Sequence, residues 1–251
     1  MGIDDFVAEL IFGYLAVVAR IGAALMFMPA FGEAQFPVRT RLSFSLVLCA
    51  VLYPVVPTPA AMPDNTVAIA LLLGSEVTIG LWMGLAGRVF LSAMQFAGNQ
   101  IGQVIGLANA FGPSFGSFEG ATMVATLLLI STITVIFATD AHHMILIALV
   151  QSYDVFTPGN VIVGDLAETM VRVGSHSLYL GTAVAAPFFV MGVILNLGMG
   201  LANRMMPQLP VFFVAASLLI GIGFLILLVA TPSAITFFIG DFVEWLSLFQ
   251  L

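Results

Sequence analysis

Lysine is absent from this chain, and its six basic residues are Arg20, Arg39, Arg41, Arg88, Arg172 and Arg204. A phosphate-binding P-loop is therefore excluded, because its G-x-x-x-x-G-K-[ST] pattern needs the lysine. Apart from Arg39 and Arg41 the arginines are scattered singly, which leaves no basic patch for nucleic acid. Cysteine occurs once, at Cys49 inside an apolar run, so no intramolecular disulfide can form. Charge of either sign is scarce, at 8% of residues against roughly 25% in a soluble domain. That is too little polar surface to cover a water-soluble globule.

Apolar residues make up 61% of the 251 and the mean hydropathy is +1.15. The composition predicts an integral membrane protein. Its first residues, MGIDDFVAEL, are acidic rather than basic before the first apolar run. A cleavable signal peptide has the opposite pattern, so the first segment is expected to persist in the mature protein.

Breaks rich in polar residues, Pro or Gly divide the chain into six apolar segments, at 6–31, 42–56, 67–107, 121–150, 178–201 and 211–230, with an apolar tail from 235. Leu, Ala, Met and Gly dominate them without period-two alternation, which predicts helices rather than barrel strands. The expected fold is all-α and polytopic. At 1.5 Å per residue, 42–56 would reach only ~22 Å and 67–107 would reach ~60 Å if continuous. A hydrocarbon core is ~30 Å thick, so these lengths suit helices that pack mainly on other protein. Arg39, Arg41, Arg88 and Arg204 in alternate connections would place both termini outside by the positive-inside rule.

Small residues recur at helical spacing. Gly98, Gly102 and Gly106 form one stripe, Gly80, Gly84 and Gly87 another, and Gly192, Asn196 and Gly200 a third. Each predicts a close approach between helices. Arg20, Glu76, Arg88 and Asp140 lie within apolar runs. An ionised group at a bilayer centre costs at least ~2.5 kcal/mol, so each needs a partner or water. Arg20 with Glu76 is the expected buried ion pair.

Gly112-Pro113-Ser114-Phe115-Gly116 fits the G-x-S-x-G pattern of a hydrolase elbow, and Asp140, His142 and His143 follow it. That elbow requires a strand feeding a helix, and no strand pattern precedes Ser114. A Ser114–His143–Asp140 relay is geometrically conceivable, yet a five-residue pattern with three fixed positions arises by chance among 24 glycines. Neighbouring His142 and His143 diverge by about 100° on a helix and nothing else supplies a third ligand, so no metal site is expected there. The chain is read as a non-enzyme without cofactor.

"RIGAALMFMPAFGEAQFPVRTRLSFSLVL" (20–48) and "LNLGMGLANRMMPQLPVFF" (195–213) resemble the signatures of the FliR family of flagellar biosynthetic membrane proteins. Asn203-Arg204 followed by Pro207-Gln208 is the most specific part. "AGNQIGQVIGLANAFGPSFG" (97–116) and "DAHHMILIALVQSY" (140–153) are similar to the family's central region and following helix. The resemblance covers nearly the whole chain, and the related subunit of virulence injectisomes shares much of it.

The resemblance implies a subunit of a type III export gate in the bacterial inner membrane, at the flagellar basal body. There it would join FliP and FliQ, alongside FlhB and FlhA, and pass unfolded flagellar proteins. It implies a FliP-like part at 1–175 and a FliQ-like hairpin at 176–251, turning near 206–210. It also implies a plug loop at 109–120. Phe111, Phe115 and Phe118 would exclude water and ions there, Gly112 and Gly116 would act as hinges, and Pro113 would interrupt the helix. A stand-alone transporter would instead show an internal repeat around a polar midplane site, and no repeat relates 1–125 to 126–251.

Overall fold

The computed structural model describes residues 3–33, 36–58, 62–63, 65–106, 123–159, 163–205 and 211–249. Among them there are helices and no strands. Helix α1 (Ile3–Val17) leads through a π-helical turn (Val18–Gly22) into the short α2 (Ala23–Phe27). Then come α3 (Val38–Leu52), α4 (Thr66–Val104), α5 (Met123–Ala138), α6 (Ala141–Val155), α7 (Val163–Met205) and α8 (Val211–Ser247).

Among the described residues four helical stretches are long and apolar enough to cross a membrane: Phe6–Phe27 (α1 through α2), α4, and most of α7 and α8. There are five if the broken pair α5 and α6 counts as one span. The protein is thus all-α and polytopic. The 15 residues of α3 reach only ~22 Å, short of a ~30 Å core. At 39, 43 and 37 residues, α4, α7 and α8 extend ~55–65 Å, well past it.

Three segment boundaries differ from the sequence expectation. The run 121–150 is broken at Asp140, which adopts a left-handed conformation (φ 58°) between α5 and α6. Asp tolerates that region better than most residues. Helix α7 begins fifteen residues before the apolar run at 178, because its first turns, carrying Asp165, Glu168 and Arg172, are polar but helical. Helix α8 continues through Pro232 instead of stopping near 230. Proline deprives the carbonyl four residues earlier of its donor, yet the helix runs on for fifteen residues past it. Arg88 lies inside α4 rather than in a connection, so it drops out of the topology argument.

The chain divides into two compact units. The first holds Met1–Phe90, Ile136–Gly174 and Phe242–Leu251. Its core combines Phe12, Ile21, Leu25, Met28, Ile79, Met83 and Ile145 with an aromatic cluster in which Trp82 meets Phe156 and Phe249, and Phe90 meets Phe242 and Trp245. The indole of Trp82 donates to the Leu166 carbonyl at 2.8 Å. The second unit holds Leu91–Val135 and Ser175–Asp241. Within it, Val190, Val193, Ile194, Leu197 and Leu201 of α7 are exposed, as are Leu218, Leu225, Leu228 and Val229 of α8.

Candidate functional site

A densely bonded polar centre in the first unit is built on Arg20. A π turn inserts one extra residue per turn and re-aims a side chain, and Arg20 sits in the middle of Val18–Gly22. Its guanidinium is fully buried. Nε donates to Oε2 of Glu76 at 2.6 Å and Nη2 to Oε1 at 3.0 Å, a bidentate fork in which both charges are satisfied. Nη1 donates to the carbonyls of Ser152 at 3.2 Å and Phe156 at 2.9 Å. These lie at the C-terminus of α6, the end where the helix dipole favours a cation. The ring of Tyr153 lies 3.9 Å from the guanidinium carbon. One side chain thereby ties the π turn, α4 and α6 together. The two carbonyl acceptors and Tyr153 leave no signal in sequence, since a backbone oxygen is present at every residue.

A second centre gathers on the Gly32 carbonyl. Nη1 of Arg41 donates to it at 2.7 Å and Nη1 of Arg88 at 3.4 Å. Beside it Glu33 is buried, 4% exposed. Burial pushes the Glu33 carboxyl above the usual range, while Arg88 and Arg41 pull it down. The folded chain therefore holds this proton to higher pH than the unfolded chain. Stability is expected to fall as pH rises from the ordinary carboxyl value through the raised one. Glu33→Gln should flatten that part of a thermal-unfolding profile; an unchanged slope contradicts the assignment.

Most glycines of the stripes mark close contacts, with backbone at Gly80, Gly84 and Gly98. A Cβ on Gly80 would fall on the Arg20 carbonyl oxygen, one on Gly84 would stand 2.5 Å from the Ala24 oxygen, and one on Gly87 would be 2.8 Å from Met28 Sδ. The face of α4 thus follows positions 20, 24 and 28 at one-turn steps. In the second unit a Cβ on Gly98 would meet the Ala125 backbone, and one on Gly192 would reach Val104 at 2.7 Å, whereas Gly200 faces open space. Gly102 is buried in α4. Gly106 differs from the sequence expectation: it lies beyond the end of α4 with φ 79°. There it terminates the helix, as left-handed glycines do, and it does not extend the packing face. Gly98→Leu is expected to prevent α4 and α5 from packing and to abolish recovery of folded protein from membranes; normal yield and melting would contradict this.

The plug residues Phe111, Gly112, Pro113, Phe115, Gly116 and Phe118, with Ser114, lie outside the described residues, as do Pro207 and Gln208. Where α4 ends, a cavity of about 410 Å³ is lined by Gln103, Val104, Gly106, Gly192, Asn196 and Leu219. Asn203 and Arg204 are exposed in the last turn of α7, where a cation complements the helix dipole. One pairing went unanticipated: Nε2 of His176 on α7 lies 3.0 Å from Oδ2 of Asp241 on α8.

At the start of α6, Nδ1 of His143 stands 3.6 Å from Oδ1 of Asp140. The expectation that His142 and His143 diverge is overturned, because their ring centroids are 4.1 Å apart. A divergence of Cβ directions does not bind flexible side chains at a helix's first turn.

Residues 11–245 match the family described as Bacterial export proteins, family 1. The flagellar biosynthetic protein FliR of Caulobacter vibrioides is 34% identical over 97% of this chain and 96% of its own length. FliR of Bacillus subtilis is 24% identical, covering 89% and 87%. The Yop proteins translocation protein T of Yersinia pestis is 25% identical, covering 90% and 88%. A match that embraces the Arg20 centre, the Gly32 centre and nearly all of the long helices leaves one conclusion: this membrane protein belongs to the bacterial export proteins, family 1.

Proposed function

We propose that this chain is the FliR-type subunit of a flagellar type III export gate in the bacterial inner membrane. It assembles with FliP and FliQ next to FlhB and FlhA, and unfolded flagellar proteins pass through the assembly. The observation that carries this reading is the end-to-end likeness to the Caulobacter FliR at 34% identity. The helix lengths support it, since α7 and α8 exceed a hydrocarbon core about twofold. Much of their surface is apolar and uncovered within the chain, as suits helices completed by sister subunits. Residues 1–175 act as a FliP-like part and 176–251 as a FliQ-like hairpin. The subunit gates without catalysis or cofactor.

The loop at 109–120 closes the channel. Phe111, Phe115 and Phe118 form an apolar constriction that dewets, and such a gate needs no charge. Replacing all three by Ala should make membranes that carry the complex leaky to small ions. Unchanged conductance would remove the plug role. Co-purification of the tagged chain with FliP and FliQ, followed by mass measurement of the intact complex, tests the assembly itself. A well-behaved, transport-active monomer would overturn the gate reading in favour of a stand-alone transporter. The Yersinia likeness supports an injectisome role less strongly, at 25% identity; restoration of swimming in a strain lacking its own FliR separates the two.

A further inference from the structure

We propose that Asp140, His142 and His143 bind a divalent transition-metal ion of the zinc class. One ligand atom from each lies within 4.8 Å of the others. The helix break makes this possible. Asp140 stands outside α6 in a left-handed conformation, so its carboxylate turns back over the first helical turn, where both imidazoles begin. The sequence expectation lacked a third ligand because it treated all three residues as one helix.

Among the described residues, none of the three side chains makes a hydrogen bond outside the cluster that would compete. The Asp140 carboxylate makes no capping hydrogen bond to α6, although that is the ordinary use of an Asp before a helix. Nδ1 of His142 is shielded from solvent and has no hydrogen-bond partner among the described residues. The His143–Asp140 separation of 3.6 Å is longer than a charge-assisted hydrogen bond of ~2.7–2.9 Å. It is close to the ~3.4 Å that separates two ligands of a tetrahedral ion with ~2.1 Å bonds. The spacing suits an ion between the groups better than a direct contact.

Donor chemistry selects the ion. Two imidazoles and one carboxylate favour Zn(II), Co(II) or Ni(II) over Ca(II) and Mg(II), which require oxygen ligands. Asp140 and His143 are exposed within the chain, at 77% and 63%, which leaves the cluster open on one side for an ion and its remaining ligands. Phe137 backs the His142 ring at 5.2 Å and limits its rotation. A bound ion would pin the residue at the helix break to the first turn of α6.

The test uses the full chain together with the subunits that co-purify with it, taken from membranes in detergent through a tag without histidine and titrated with Co(II). One equivalent should bind with visible ligand-field absorption and be displaced by Zn(II). His143→Ala and Asp140→Asn should each weaken binding by about tenfold or more. His176→Ala removes the one remaining histidine of the three and should leave binding unchanged. Circular dichroism and gel filtration establish that the surface variants are folded. Absence of stoichiometric Co(II) and Zn(II) uptake by the wild type would overturn the site, as would equal uptake by a folded His142→Ala/His143→Ala variant. The outcome is separable from the gate assignment, since wild type and variants differ only at these side chains of this chain.

Discussion

Arg20→Ala is expected to lower the stability of the folded chain by about 3–5 kcal/mol, the cost of stranding one member of a buried ion pair. The loss is large because four hydrogen bonds converge on one guanidinium, two on Glu76 and two on the carbonyls of Ser152 and Phe156. Removing it leaves the Glu76 carboxylate buried without a counter-charge and the end of α6 without its donor. Arg20→Lys should recover only part of the loss, since an ammonium cannot match both carboxylate oxygens and reach two carbonyls. The Arg20→Ala/Glu76→Ala double variant should be less damaged than Arg20→Ala alone, because it no longer buries an orphan charge. Thermal aggregation of the purified chain, its level in membranes and swimming of the host read these effects. An Arg20→Ala protein with wild-type melting would show that the centre is not structural.

Gly80→Ala should also be strongly destabilising, for one added carbon. Its Cβ would collide with the backbone oxygen of Arg20, with the Arg20 carbonyl carbon at 2.9 Å and Ala23 Cβ at 3.1 Å behind it. No rotamer change relieves a clash with backbone, and the π turn is already held by the Arg20 bonds. The helices must separate, at a cost of ~1–3 kcal/mol or more, and the Arg20–Glu76 fork would be stretched with them. Gly174→Ala is the control, since nothing lies within 4 Å of its Cβ and alanine favours a helix by about 0.5–1 kcal/mol. Equal melting of the Gly80 and Gly174 variants would contradict the close approach.

The two centres were unequally legible in the sequence. Arg20 and Glu76 could be paired because two opposite charges in apolar runs have few alternatives in a low dielectric. The Gly32 centre could not, because its acceptor is a backbone oxygen and Arg88 reads as an isolated charge until α4 passes the turn after α2. The Asp140 break was partly legible, since Thr139, Asp140, His142 and His143 interrupt the apolar run, but nothing in that spacing says that Asp140 turns left-handed. The continuation of α8 past Pro232 was concealed for the opposite reason: proline is a strong local signal that a long helix can outweigh.

Composition and the lack of period-two alternation determined that this chain is a membrane protein made of helices, because a polypeptide with so few charges must satisfy its backbone internally wherever water is excluded and alternation marks the barrel alternative. Spacing determined which helix faces are bare. Tertiary structure alone decided which backbone each bare face meets, where the long runs bend, and which side chains from distant segments converge. Those outcomes depend on contacts between residues far apart in the chain, such as the 132 positions between Arg20 and Ser152, and a local pattern carries no information about a neighbour that only folding supplies.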